Sequence, residues 1–422
     1  MQSVHTATNG SSSSVAPTNA NKAAAVPSSE AEALWPLVPP SPFPLCSAHQ
    51  RRAQSLSFTA ARRSSLAGKA VRMSACAESD AWMAPLIEAD LRGSSGNSAA
   101  LQAPLRRMVL NVGANKGYLA AALLSRWRPA SRASPAGVRS LIGSVPGVHE
   151  RNLCGICYDC REAVPSLPTT GTRQTTMSVH AVEPAQTNFR LLQRFAASLV
   201  SGAAAVNASG AANVGADTSF PPLVVHEAAV SDYVGTARFA DRGVGHEGSS
   251  LTNVGESTAA TVRVTTVDAL VASGEVPLVP GAVLDMLVVD TEGDDARVLR
   301  GATATLNRTR LVLFEYHGIG GWSPKVNGSS SLKDTIVWLD RAGFDCYLLW
   351  TGGSNWRLSG CWVDAFETRS WSNVVCVNRR DAAWSTAMAR TALRRWRGKL
   401  IRDEAVKRIE RLENENGSTV FA

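Results

Sequence analysis

The stretch at residues 108–124, MVLNVGANKGYLAAALL, constrains the fold of this chain more than any other. It opens with an apolar run short enough for a buried strand and closes with an Ala- and Leu-rich run typical of a helix packed on a sheet. Between them lies a short turn bounded by Gly113 and Gly117. Glycine lets the backbone approach a ligand, and a helix N-terminus offers free N–H groups. The pattern predicts a nucleotide-type cradle, with an ordinary strand–helix connection as the alternative.

A second strand is predicted at residues 179–182 and ends at Glu183 and Pro184. An acidic residue at the tip of the second parallel strand can accept hydrogen bonds from ribose hydroxyls, and Pro184 suits the first turn of the next helix. The spacing Gly113-x-x-x-Gly117 is not the GxGxxG of dinucleotide enzymes. It suits a ligand without a pyrophosphate, of which S-adenosylmethionine is the commonest.

The remaining strands are predicted from apolar runs separated by turn residues. They lie at residues 223–229, 286–289, 311–314, 346–350 and 374–377, which gives seven strands in all. Residues 236–239 and 261–265 are predicted as an extra antiparallel pair, and the Gly- and Ser-rich loop at 243–255 between them as a mobile lid. Helices are expected at residues 118–124, after Pro184, at 296–302 and at 332–342.

Acidic and imidazole side chains follow the fourth and fifth strands. If the chain stays extended after the fourth strand, Asp290 and Glu292 project to the same face. Two carboxylates on one face repel, which raises the pKa of one of them and suits a general base. Alternatively, Glu292 caps the following helix. His317, beyond the fifth strand, is either a base or a residue that satisfies hydrogen bonds at a strand end.

The motifs NVGANKG, AVEP, AAVSD, TTVD and VVDTEGDDARVLRGA occur in an order that resembles the FkbM family of S-adenosylmethionine-dependent methyltransferases. The resemblance covers residues 108–378. It implies a Rossmann-like sheet and methylation of a hydroxyl, often on a sugar or another secondary metabolite. Two positions depart from the family pattern: Asn111 replaces an acidic residue that would contact the cofactor, and Val288 replaces a lysine. The cofactor-binding residues implied are Asn111, Gly113, Asn115, Gly117, Glu183, Ser231 and Asp232, with Ser231 and Asp232 beside the adenine.

The chain divides by composition into three parts. Residues 1–102 are rich in Ser, Ala and Pro and are predicted to be a disordered leader; their scarcity of acids resembles a transit peptide, with a biased, non-functional extension as the alternative. Residues 103–380 form the methyltransferase domain, with insertions at 128–177 and 200–219. Residues 381–422 form a basic amphipathic helix, over 384–412, and a tail.

Charge and cysteine content suggest few further partners. The net charge of +8 sits mainly at the two ends of the chain, so it says little about the fold. No nucleic-acid partner is expected. The basic C-terminal helix either packs on the domain or contacts calmodulin or a membrane surface. The eight cysteines show no disulfide spacing, which favours a reducing compartment, cytoplasmic or organellar. Cys154, Cys157 and Cys160 form overlapping CxxC turns, which predicts a structural metal or a plain thiol cluster rather than chemistry.

Together these patterns predict an α/β chain with a Rossmann-like seven-stranded methyltransferase sheet. The expected activity is S-adenosylmethionine-dependent methylation of a small-molecule hydroxyl. Asp290, Glu292 and His317 are the candidate catalytic residues. The alternative is a catalytically silent protein of the same fold that recruits a partner through its C-terminal helix.

Overall fold

The computed structural model describes residues 40–41, 44–67, 74, 80–93, 105–128, 133–146, 148, 152–153, 175–207, 220–246, 249–251, 259–325, 329–350 and 355–393. Twelve strands occur in these residues. In chain order they are β1 (Leu105–Val112), β2 (Thr175–Val182), β3 (Leu223–His226), β4 (Ala229–Val230), β5 (Gly235–Ala240), β6 (Ser250–Leu251), β7 (Ala260–Thr265), β8 (Leu284–Val289), β9 (Thr309–Tyr316), β10 (Phe344–Leu348), β11 (Trp356–Arg357) and β12 (Ser372–Asn378).

Eight of these strands form the main sheet, in the order β11-β10-β12-β9-β8-β1-β2-β3. The strands β3, β2, β1, β8 and β9 are parallel, whereas β12, β10 and β11 continue the sheet in antiparallel pairings. The mixed α/β fold predicted from the sequence is confirmed. The strand number differs from the predicted seven because the chain after β10 folds back, and the two-residue β11 pairs with it.

The centre of the sheet follows from its apolar sequence. Every residue of β8 is buried, as expected for a parallel strand covered on both faces. Asp285 is the one charged residue in β8, and its carboxylate pairs with Arg107 and Arg310 on the neighbouring strands. The carboxyl ends of β1, β2, β8 and β9 meet at one edge, where ligands bind in sheets of this kind.

The helices cover both faces of the sheet. They are α1 (Ala48–Ala67), α2 (Asp80–Gly93), α3 (Tyr118–Trp127), α4 (Pro135–Gly143), α5 (Gln186–Asn207), α6 (Val267–Ala272), α7 (Asp295–Arg300), α8 (Thr303–Leu306), α9 (Leu332–Arg341) and α10 (Ala382–Leu393). Local sequence sets several of their ends. The hydroxyls of Ser134, Thr266 and Ser331 each accept a backbone N–H in the first turn of α4, α6 and α9.

A second sheet, in the order β4-β7-β5-β6, stands beside the end of β3. The predicted antiparallel pair is present as β5 and β7. The predicted third strand is divided: it ends at His226, and the chain then enters the second sheet at Ala229. The loop predicted as a lid carries the short strand β6, which pairs with the end of β5.

Within the leader predicted to be disordered, the two segments that form α1 and α2 are helical and pack on the domain, which corrects the prediction there. Most of the rest of residues 1–102 lies outside the described residues. In α1, Phe58 lies edge-on to Trp356 and Phe366, with ring centroids 5.3 and 4.9 Å apart. In α2, Trp82 is 1% exposed, and Asp90 pairs with Arg107 at 2.7 Å. A few buried side chains hold these helices on the domain despite the Ser- and Ala-rich composition around them.

Three further sequence predictions differ from the structure or lie outside it. The helix α5 runs to Asn207, into the predicted insertion at 200–219, and the insertion at 128–177 contains α4. The C-terminal helix is described over Ala382–Leu393, whereas its basic half and the tail lie outside the described residues, as do Cys154, Cys157 and Cys160. Among the helices described here, none is long and apolar enough to cross a bilayer.

Four cysteines whose spacing shows no disulfide pattern form disulfides in the structure. Cys46 is joined to Cys361, and Cys346 to Cys376 on the adjacent strand. The first bond ties the chain before α1 to the loop after β11. The partners are distant in sequence and unevenly spaced, so only the fold brings them together.

Candidate active site

A cavity of about 360 Å³ opens at the carboxyl edge of the sheet. It lies between the ends of β1, β2, β8 and β9 and beneath the loop that carries β6. The structure places seven of the ten predicted site residues around it: Asn111, Gly113, Asn115, Glu183, Asp290, Glu292 and His317. Gly117, Ser231 and Asp232 do not line it.

The two glycines of the turn after β1 are needed for packing of the chain. Gly113 has φ +76°, and a Cβ there would lie 1.7 Å from the backbone oxygen of Asp290. Gly117 has φ +87°, and its Cβ would meet Leu192 on α5 at 2.7 Å. The structure thus gives these glycines a packing role, and Gly113 also lines the cavity, as expected of a residue close to a ligand. They let β1 and α3 approach β8 and α5 closely enough to build the cavity wall.

Glu183 sits at the end of β2 and closes the glycine turn from one side. It is 4% exposed, and its two carboxylate oxygens accept the N–H groups of Asn115 at 2.7 Å and Ala185 at 2.8 Å. Burial raises the pKa of this carboxyl to about 7, although both N–H donors act to lower it. The carboxylate thus faces the cavity with its geometry fixed by the backbone.

Side-chain amides join the glycine turn to the loop above it. Asn188 on α5 donates to the side-chain oxygen of Asn115 at 3.4 Å and accepts the backbone N–H of Gly245 at 2.8 Å. The side chain of Asn115 donates to the backbone oxygen of His246 at 3.5 Å. His246 lines the cavity, so this part of the loop covers the end nearest Glu183.

The tip of the third strand contributes different residues from those predicted. The hydroxyl of Ser231 donates to Asp294 at 2.6 Å, and the carboxylate of Asp232 pairs with Arg297 at 2.7 Å. Both side chains are engaged with the segment around α7. The cavity is lined instead by Ala228, Ala229 and Val230, together with Phe239 and Leu251 of the second sheet.

A cluster of carboxyl and imidazole groups occupies the other end of the cavity, after β8 and β9. The imidazole Nε2 of His317 lies 3.1 Å from Glu315 and 4.0 Å from Glu292. The predicted extended alternation does not hold, because β8 ends at Val289 and Glu292 has φ +54°. Asp290 and Glu292 nevertheless both line the cavity, because the chain turns there.

A buried aspartate holds this turn in shape. Asp295, at the start of α7, accepts the N–H groups of Thr291 at 3.3 Å and Gly293 at 3.2 Å, and the indole N–H of Trp322 at 3.3 Å. Gly321 donates its N–H to the oxygen of Gly293 at 2.9 Å, which joins the loops after β8 and β9. Burial raises the pKa of Asp295 to about 6. These contacts stabilise the left-handed backbone at Glu292.

Glu315 and His317 are both buried, and their protonation is shifted in opposite directions. Burial, and then the charges of Glu292 and Asp295, raise the pKa of Glu315 to about 8. Burial lowers the pKa of His317, which favours the neutral ring. The indole N–H of Trp371 donates to one oxygen of Glu315.

Glu292, Glu315 and His317 also offer one ligand atom each within 4.8 Å of one another, a spacing that can hold a metal ion. The backbone N–H of Ile319, however, donates to Nδ1 of His317 at 3.2 Å. An Nδ1 that accepts a hydrogen bond leaves the hydrogen of the neutral ring on Nε2, where it opposes coordination through that atom. The contacts therefore favour an acid–base cluster over a metal site.

Sequence reasoning omitted Glu315, Trp371 and Asn373 from the site, although all three line the cavity. Glu315 could have been found, because it precedes His317 by two residues and alternate residues of a strand face the same side. Asn373 lies opposite Glu315 in the pairing of β12 with β9. That placement depends on strand register and has no local signal in the sequence.

One family model matches part of the chain. Residues 167–346 match the model of the methyltransferase FkbM domain. The matched region contains β2, β8 and β9 but begins after β1 and its glycine turn. No curated protein matches the chain.

Solved structures give more distant similarities. A methyltransferase FkbM from Methylobacillus flagellatus KT is 12% identical, with a TM-score of 0.32; the match covers 67% of this chain and 46% of that one. The chain thus spans a little under half the length of that protein. A candidate tRNA (m1A22) methyltransferase from Streptococcus pneumoniae is 11% identical, with a TM-score of 0.26, and the match covers 74% of this chain and 93% of that one. The family match supports the resemblance carried by the sequence motifs over residues 167–346, which are similar to the methyltransferase FkbM domain.

Proposed function

We propose that this protein is an S-adenosylmethionine-dependent O-methyltransferase that acts on a hydroxyl of a sugar or another small metabolite. One observation carries the proposal. A single cavity joins a buried carboxylate, Glu183, at one end to the cluster around Glu315 and His317 at the other. The first end suits the ribose of a cofactor, and the second suits removal of a proton from an acceptor.

The residues around Glu183 fit the cofactor. A carboxylate at the end of the second parallel strand can accept hydrogen bonds from both ribose hydroxyls. The apolar side formed by Val230, Phe239 and Leu251 suits a planar base. Asn111 and Asn115 add polar groups near the start of α3. The volume of about 360 Å³ lies within the range of roughly 300–1,000 Å³ for small-molecule sites.

The bound cofactor would supply a methyl group activated by a sulfonium. The acceptor oxygen forms a bond to the methyl carbon while the carbon–sulfur bond breaks, and the hydroxyl proton must leave. The protein's part is mainly orientation and exclusion of water, and proximity can contribute about 7–11 kcal/mol. The loop at Gly245 and His246 excludes water from the Glu183 end, and the carboxyl cluster receives the proton.

The test separates binding from turnover. The full-length protein is incubated with methyl-labelled S-adenosylmethionine and an extract of small metabolites, and label transfer is followed by chromatography. Cofactor affinity is measured on the same sample by calorimetry. We expect both binding and a labelled product whose methyl group is ether-linked. Binding without any transfer would favour the silent, partner-recruiting alternative, and the absence of both would contradict the proposal.

A further inference from the structure

Neither ring nitrogen of His317 is suited to accept a proton from an acceptor molecule. Nδ1 accepts the N–H of Ile319, so its lone pair is already used. In the neutral ring the hydrogen then resides on Nε2, which is buried and lacks a hydrogen-bond acceptor in the described structure. Glu315 lies 3.1 Å from Nε2 but out of line for a hydrogen bond. His317 therefore presents the cavity with an N–H donor rather than with a base.

Glu315 is held where a base is needed. Its side chain is 10% exposed and lines the same cavity as Asp290 and Glu292. The indole of Trp371 donates to Oε1, while Oε2 faces His317. The pairing of β9 with β12 fixes the backbone of Glu315 opposite Asn373. The carboxyl group is thus oriented by Trp371, immediately before β12, on a backbone held by the pairing of β9 with β12.

The surrounding charges suit a proton acceptor that works near neutral pH. The groups that face Glu315 are Asp290, Glu292 and Asp295, from the segment after β8, and His317, from its own strand end. Burial, and then the charges of Glu292 and Asp295, raise the pKa of Glu315, whereas side-chain hydrogen bonds with Trp371 and Asp290 act to lower it. A carboxyl group in such surroundings can gain and lose its proton near the working pH, as an efficient general base requires.

We propose that Glu315 is the general base of methyl transfer and that His317 positions the acceptor by donating its Nε2–H to an oxygen of that molecule. This inference rests on the proposed methyltransferase function. In the step, the O–H bond of the acceptor breaks and its proton passes to Oε2 of Glu315. The electron pair left on oxygen forms the new bond to the methyl carbon, and the pair of the broken carbon–sulfur bond returns to sulfur. Asp290, Glu292 and His317 then surround Glu315 and are not themselves the general base.

The first test needs no acceptor. The full chain is labelled with ¹⁵N-histidine, and the two ring nitrogens of His317 are assigned by comparison with His317→Asn. We expect a neutral ring with its hydrogen on Nε2 at pH 7. Infrared difference spectra of wild type against Glu315→Gln should show a protonated carboxyl band at pH 6 that is lost as the pH rises through about 8. A hydrogen on Nδ1, or a Glu315 carboxyl ionised at pH 6, would overturn the assignment.

The second test uses methyl transfer from labelled S-adenosylmethionine to a defined mixture of D-glucose, L-rhamnose, myo-inositol and catechol. Glu315→Gln keeps the oxygen that accepts the Trp371 N–H, and we expect it to slow transfer by about 10²–10⁴. His317→Asn keeps an N–H donor but cannot act as a base, and should retain the rate within about tenfold, whereas His317→Phe should lose more. Glu275→Gln, which alters a surface ion pair with Arg263, is the matched control.

The outcomes separate this inference from the proposed function. If the wild type transfers no label to any acceptor, methylation of this mixture fails, while the ring and carboxyl spectra still decide the assignment of the base. If Glu315→Gln transfers at the wild-type rate, Glu315 is not the base. If His317→Asn is as slow as Glu315→Gln, the assignment of His317 as a positioning donor only is wrong. If Mn²⁺ or Mg²⁺ stimulates methyl transfer by the wild type but not by Glu315→Gln or His317→Asn, the cluster is a metal site and not an acid–base site.

Discussion

Substitution of Gly113 by alanine tests the finding that this glycine serves the packing of two strands. Gly113 has φ +76°, and a left-handed backbone costs an L-residue roughly 1–2 kcal/mol. The added Cβ would also lie 1.7 Å from the backbone oxygen of Asp290, so the strand ends must separate. That separation strains the hydrogen bond from Asp290 N–H to Val112, and overpacking of this kind costs about 1–3 kcal/mol. We expect the free energy of unfolding to fall by about 2–5 kcal/mol in total.

A matched glycine isolates the contact from the backbone strain. Gly274 has φ +80°, yet a Cβ there would meet nothing within 4 Å. The free energy of unfolding of Gly274→Ala should therefore fall only by the roughly 1–2 kcal/mol that the left-handed conformation costs. The free energy of unfolding of both variants is measured by urea denaturation followed by circular dichroism. Equal losses in the two variants, or a fully stable Gly113→Ala that fails only to bind cofactor, would refute the packing explanation.

Two further predictions concern stability. Glu183 has a folded pKa of about 7, above its usual 4.5, so its contribution to stability is complete below about pH 4.5 and is lost as the pH rises through 7. Relative to Glu183→Gln, the free energy of unfolding of the wild type, measured by urea titration, should fall by about 3 kcal/mol between these two pH values. A difference between the two proteins that does not change with pH would contradict this. Trp82→Ala should destabilise the protein by about 3–5 kcal/mol, because its side chain is 1% exposed within α2. An unchanged thermal midpoint would instead support the disordered leader predicted from composition.

The sequence was most informative where local pattern and fold agree. The apolar run of β8, the acid that ends β2 and the glycine turn after β1 could all be predicted, because strand ends and turns have local signatures. The packing role of Gly113 could not be predicted, because the atom that an added Cβ would meet belongs to Asp290, which is distant in sequence. The sequence predicts that Asp232 lies beside the adenine because nothing in it shows that the fold brings Arg297 close enough to pair with this carboxylate.

The N-terminal segment and the catalytic cluster show the same limit. Composition does not predict helix α2, because an average over the whole segment hides the few residues, such as Trp82, that the helix buries. Glu315 is visible by alternation with His317, but the hydrogen bond from Ile319 that sets the ring hydrogen depends on the loop conformation after β9. Residue types at strand ends could thus be predicted, whereas their hydrogen-bond partners required the structure.

Calorimetric titration of S-adenosylmethionine into wild type and Glu183→Gln tests whether the cavity beside Glu183 binds the cofactor. We expect one binding site in the wild type. In Glu183→Gln the affinity should fall about 10- to 150-fold, because a hydrogen bond to a charged group contributes about 1.5–3 kcal/mol. Glu275→Gln, outside the cavity, should bind as the wild type does. No binding by the wild type, or equal affinity in Glu183→Gln, would contradict the assignment of this cavity as the cofactor site.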